Sequence, residues 1–218
     1  MAVTQSTIWE VAPGRTAEVI GHMSHAKKIQ ERLGSKVRAL QVQISGTGSN
    51  RIAYVLRHDN MTAFGKFSAA STEDAEWMMF QQTVLGSASP SATLAAHSLA
   101  IELGGFEGPF PVTGKSVSTL TQIRLNPGGM EGVLAQITKV KKILEGLGAS
   151  VSARSMQVAG PDTGLIAVAA SYDDIKAYGK GTDALMSHPD YAAVIAQAGG
   201  KDAPGTIISR GLAVEIPI

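Results

Sequence analysis

The chain has 218 residues, a formal net charge of +1 and no cysteine. The missing thiols exclude disulfides, zinc–thiolate centres, iron–sulfur clusters and cysteine nucleophiles, and the mixed charge offers no basic stripe for a nucleic acid. An apolar share of 44% can fill a core without a staple. No apolar run approaches the roughly 18 residues of a membrane span, and Met1-Ala2-Val3-Thr4-Gln5 lacks the regions of a secretory signal. A cytoplasmic protein with neither nucleic-acid nor membrane partners is expected.

A first strand, Thr7 to Val11, is expected to end at Pro13-Gly14, where proline stops the ladder and glycine frees the turn. A helix follows with Val19, Ile20, Met23, Ala26 and Leu33 on one face, stopped by Gly34. Two strands, Val37 to Ile44 and Ile52 to Arg57, flank a loop of turn formers from Ser45 to Asn50. Asp59 or Asn60 can cap a second helical stretch holding Trp77, and a strand from Thr93 to Leu103 closes the unit.

The same order recurs 114 positions later. Between Pro13 and Lys66 the ungapped overlay on Pro127 to Lys180 gives 19 identities in 54 positions. Pro13-Gly14 falls on Pro127-Gly128, Lys27-Lys28-Ile29 on Lys141-Lys142-Ile143, and Trp77 on Tyr191. The expected fold class is therefore α+β: two tandem ferredoxin-like β-α-β-β-α-β repeats, residues 1–105 and 119–218, joined by a linker at 106–118. Right-handed crossovers put both helices of a repeat on one face of an antiparallel sheet. The other face would be left bare and apolar, so the two sheets are expected to pack face to face as an intramolecular pseudo-dimeric barrel, with further homodimerisation allowed.

Three segments carry a family resemblance: Trp9-Glu10-Val11-Ala12-Pro13-Gly14, Leu56-Arg57-His58-Asp59-Asn60-Met61-Thr62-Ala63-Phe64, and Ser187-His188-Pro189-Asp190-Tyr191. Through them the chain resembles the dimeric α+β barrel superfamily, which includes antibiotic-biosynthesis-type monooxygenases and NIPSNAP-like proteins. The resemblance implies that one chain does what two usually do there, and that a small molecule sits between sheet and helices.

Within that space His22, on the edge of the first helix's apolar stripe, is the expected acid or base, with Tyr54 and His58 as further catalytic candidates. Trp9, Arg51, Phe64, Trp77 and Phe80 are the candidate ligand-binding residues. Arg51 and Arg57 share one strand face and Tyr54 the other, so these groups cannot all line one pocket. His22 and His25 are too few for a metal site, and no cofactor is implied. His97 and His188 read as surface or helix-start residues. Glu10 and Arg124, at equivalent positions, are expected to pair between the copies, while Glu102 and Glu215 read as structural. There is no phosphate loop, Gly-x-Gly-x-x-Gly, Gly-x-Ser-x-Gly or His-Glu-x-x-His. The expectation is a small-molecule-binding protein, a cofactor-independent oxygenase or a cyclase/isomerase acting on a small aromatic or polyketide-like compound. The alternative is a binding or assembly module with its helix-covered spaces filled by side chains.

Overall fold

The structure, a computed structural model, describes residues 1–48 and 51–218. Ser49 and Asn50, the end of the expected turn-former loop, lie outside the described residues. The first repeat runs β1 (Val3–Val11), α1 (Thr16–Arg32), β2 (Lys36–Ile44), β3 (Arg51–His58), α2 (Met61–Glu73), α3 (Ala75–Leu85) and β4 (Ala92–Glu102). The second runs β5 (Val117–Leu125), α4 (Met130–Gly146), β6 (Ser150–Val158), β7 (Ile166–Tyr172), α5 (Ile175–Met186), α6 (Pro189–Ala198) and β8 (Gly205–Ile216). The glycines that stop α1 and α4, Gly34 and Gly148, have positive φ (100° and 87°), a backbone region that only glycine enters freely.

The second helical stretch of each repeat is two helices rather than one. Asp74 interrupts the first with extended backbone, and its carboxylate accepts from the Trp77 amide at 2.8 Å. Arg32 at the end of α1 grips the same carboxylate (2.8 and 3.2 Å) and Glu76 (2.8 Å). The Arg32 hydrogen bond and then the Trp77 amide hold Asp74 below the usual carboxylate range. In the second repeat Pro189 opens α6, its fixed φ suiting a first helical turn.

All strand pairs are antiparallel, and they close into one barrel in the order β1-β3-β2-β8-β5-β7-β6-β4. The two four-stranded sheets are joined edge to edge, β2 to β8 and β4 to β6, so no edge is left for a foreign strand over the joined lengths. Closure turns the two helix-free faces toward each other, and they are mixed: buried Leu40, Val55, Ala100 and Ala169 share them with polar and charged side chains. Strand alternation points Thr4, Arg38, Arg57, Glu102, Ser118, Ser152, Arg154 and Glu215 inward, and most of them are buried. The apolar clusters lie between sheet and helices. One is built on Val19, Met23, Ala26, Ile52 and Leu56, the others on Val133, Ile137 and Ile166 and on Leu144, Val151 and Tyr172.

The inward charges are compensated internally. Arg57 pairs with Glu102 at 2.8 Å and donates to the Gly108 carbonyl at 3.0 Å. Glu215 accepts from Ser116 Oγ (2.7 Å) and from Thr113. Arg38 lies over the Phe110 ring, 5.1 Å from its centre. Burial, then neighbouring Arg154, push Arg38 down to about 10, so it stays charged at neutral pH. Residues 103–116, which connect β4 to β5, therefore run across the barrel end as a fixed strap. Glu10 does not reach Arg124. Three strands separate β1 from β5 in the barrel either way, and Glu10 pairs at 3.3 Å with Arg51, its ladder neighbour.

Candidate functional site

Each repeat encloses a cavity between its sheet and its helices, so neither helix-covered space is filled by side chains. The first measures about 380 Å³ and the second about 340 Å³, both within the roughly 300–1,000 Å³ of small-molecule sites. They are lined by corresponding positions of the two repeats.

The first cavity has a floor of alternate residues on β1 and β3, Gln5, Thr7, Trp9, Tyr54 and Leu56, and a wall from α1 with Val19, His22, Met23 and Ala26. Helix α3 forms the opposite wall. Trp77 and Phe80 stack there, with ring centres 5.4 Å apart and 16° between planes. No residue of α3 is fully buried. Exposed Leu85 and Leu94 mark the open side, an apolar lip that favours an oily ligand.

Of the expected site residues, His22, Tyr54, Trp9, Trp77 and Phe80 come together on this cavity. His22 Nδ1 lies 3.4 Å from Ser91 Oγ, and its ring meets Phe80 edge-on. Nε2 of His22 has no hydrogen-bond partner among the described residues, which leaves that nitrogen for a ligand. Tyr54 is no free acid or base. Its hydroxyl donates to Gln30 Oε1 at 2.6 Å, and burial raises its pKa far above the usual phenol range.

Arg51, His58 and Phe64 lie elsewhere. Arg51 is on the other face of β3 with Glu10. His58 is 2% exposed, beneath the cavity set, with Nδ1 3.4 Å from Ser35 Oγ and its ring against Phe64 and Phe67. Its Nε2 is buried without a partner, and burial depresses its pKa below 6.5. The unfolded chain then binds more protons just below pH 6.5, so stability must fall as pH drops through that window. His58→Phe is expected to flatten the dependence of Tm between pH 7 and 5, measured by thermal denaturation. An unchanged slope would assign it to another group.

His97 is exposed, as expected of a surface residue, and also lines the cavity. It sits on β4 opposite Thr7, with Nδ1 3.0 Å from Thr7 Oγ1 and Nε2 3.0 Å from Gln5 Nε2. Both ring nitrogens are engaged, so it orients the floor rather than offering a free base. Its alternation with Leu99 and Ile101, both apolar, was the available signal. Among the described residues no group of three or more His, Cys, Asp or Glu comes together, and no helix is long and apolar enough to cross a membrane.

A structure of a monooxygenase candidate from Fusobacterium nucleatum subsp. nucleatum aligns with 99% of this chain and 91% of its own, at 14% identity and a TM-score of 0.61. The chain has the dimeric α+β barrel fold. An anthrone oxidase-like protein is similar over 98% of this barrel and 91% of its own chain (14% identity, TM-score 0.57). A chlorite dismutase variant from Candidatus Nitrospira defluvii is similar over 99% and 92% (8% identity, TM-score 0.54). No family model matches the sequence, and no curated protein matches it.

Proposed function

We propose that the first cavity binds a flat, largely apolar aromatic ketone or phenol, and that the protein acts there as a cofactor-independent oxygenase with His22 as base. The observation that carries this reading is the Nε2 of His22, unpartnered among the described residues, on the wall of a cavity flanked by the stacked Trp77 and Phe80. The likeness to an anthrone oxidase-like protein suggests 9-anthrone as the probe.

In that reaction His22 accepts the proton from the methylene carbon opposite the carbonyl. The resulting enolate is electron-rich enough to reduce dioxygen, which adds at that carbon. The adduct takes a proton from the imidazolium to give a hydroperoxide, and loss of water leaves the quinone. One anthrone and one O2 thus become one anthraquinone and one water. Ser91 holds the imidazole from its Nδ1 side, while Trp77 and Phe80 cover the ring plane. Tyr54 and Gln30, committed to each other, shape the floor.

His22→Gln, which installs the residue found at the equivalent Gln136, is expected to lower kcat for 9-anthrone by about 100-fold. That is the lower end of what a positioned base contributes. Tryptophan quenching by the probe under argon should persist. Oxygen uptake and anthraquinone absorbance read the rate, and an undiminished kcat would remove His22 from the mechanism.

A further inference from the structure

The second cavity repeats the first in place but not in chemistry. Trp9, Phe80 and Tyr54 become Ile123, Val194 and Val168, and Gln30 becomes Leu144. Flat rings and a buried polar pair have given way to branched aliphatic side chains, which suit a flexible chain better than a planar ligand. Tyr172, Tyr178 and Tyr191 remain as the aromatic part of the wall.

The polar end changes as well. Where the first cavity has His97 opposite Thr7, the second has Arg210 opposite Thr121. The Arg210 Nε donates to Thr121 Oγ1 at 3.0 Å, just as His97 is tethered, and this fixes the guanidinium at the cavity edge. Arg210 is exposed at the cavity mouth, its two terminal nitrogens have no acceptor among the described residues, and no aspartate or glutamate lines the cavity. A second donor points to the same conclusion: the Gln136 side-chain nitrogen is buried without a partner on the same lining. A fixed cation and an orphaned donor call for a ligand rich in acceptors, and a planar guanidinium matches a carboxylate.

We propose that the second cavity is a separate binding site for an aliphatic monocarboxylate, with its chain among Ile137, Val140, Leu144 and Val194 and its carboxylate on Arg210. It is independent of the oxygenase reading, because the two cavities belong to different repeats.

The test uses the full chain and decanoate, with 1-decanol as the uncharged control, by isothermal titration calorimetry. Decanoate is expected to bind one saturable site more tightly than 1-decanol. Arg210→Gln should weaken decanoate by roughly 10- to 100-fold, the range for a charge-assisted contact, and leave 1-decanol unchanged, while Arg210→Lys restores part of the loss. The protein's two tryptophans, Trp9 and Trp77, both line the first cavity. Decanoate should therefore leave tryptophan emission unaltered, and Trp77→Ala should not affect its binding. Equal affinities for acid and alcohol, indifference to Arg210→Gln, or a tryptophan response lost in Trp77→Ala would each overturn the proposal.

Discussion

Glu102→Gln is expected to lower the unfolding free energy by about 3–5 kcal/mol, the usual cost of removing one member of a buried ion pair. Glu102 is 3% exposed and holds Arg57 at 2.8 Å. It is also the anion facing Arg154, whose pKa burial already lowers, and the Arg154 Nε has no partner of its own. The isosteric amide keeps the volume and removes the charge, leaving two desolvated guanidiniums facing each other. Urea denaturation reads the loss. Adding Arg57→Met should recover part of it, because one uncompensated cation is then gone. A loss below about 1 kcal/mol, the range of an exposed pair, would mean that water reaches the barrel interior.

Separating the repeats is expected to abolish monomeric folding altogether. Cut between residues 105 and 106, the first fragment would expose the β2 edge that pairs with β8 and the part of β4 that pairs with β6. Free edges of that length recruit other strands. The first fragment would also open the inner face that carries Arg38, Arg57 and Glu102, and the Lys27 amino group would lose the Ile218 carbonyl, 2.9 Å away in the intact chain. Sedimentation should find each fragment self-associated or aggregated, and an equimolar mixture should recover a one-to-one complex. Two cooperatively folded monomers would contradict the closed barrel.

The recurring element order was legible because both halves mark it with like turns and caps: Pro13-Gly14 and Pro127-Gly128, Gly34 and Gly148, Asn60 and Asp174. The last two cap α2 and α5 through their side chains. The way the sheets join was less legible. Alternation shows that Arg57 and Glu102 face away from the helices, but only the closed strand order reveals that this side is an enclosed interior able to hold charges. In the first cavity the aromatic and histidine residues announced themselves by type, whereas Gln5, Thr7, Gln30 and Ser91 carry no such signal and become site residues by position alone. The residues of the second cavity are as silent by type. Its lining is largely aliphatic and tyrosine, and Arg210 takes its meaning from standing where His97 stands in the other repeat.

Hydrogen–deuterium exchange of the full chain with and without 9-anthrone under argon reads occupancy of the first cavity, since the proposed ligand lies against α3 and oxygen is withheld. Helix α3 buries no residue fully, so its amides should exchange fast in the free protein. Bound 9-anthrone should slow exchange across residues 75–85 and around His22 and leave residues 175–198 of the second repeat unchanged. Unaltered exchange in 75–85 at saturating probe, or protection appearing in the second repeat instead, would contradict the proposed site.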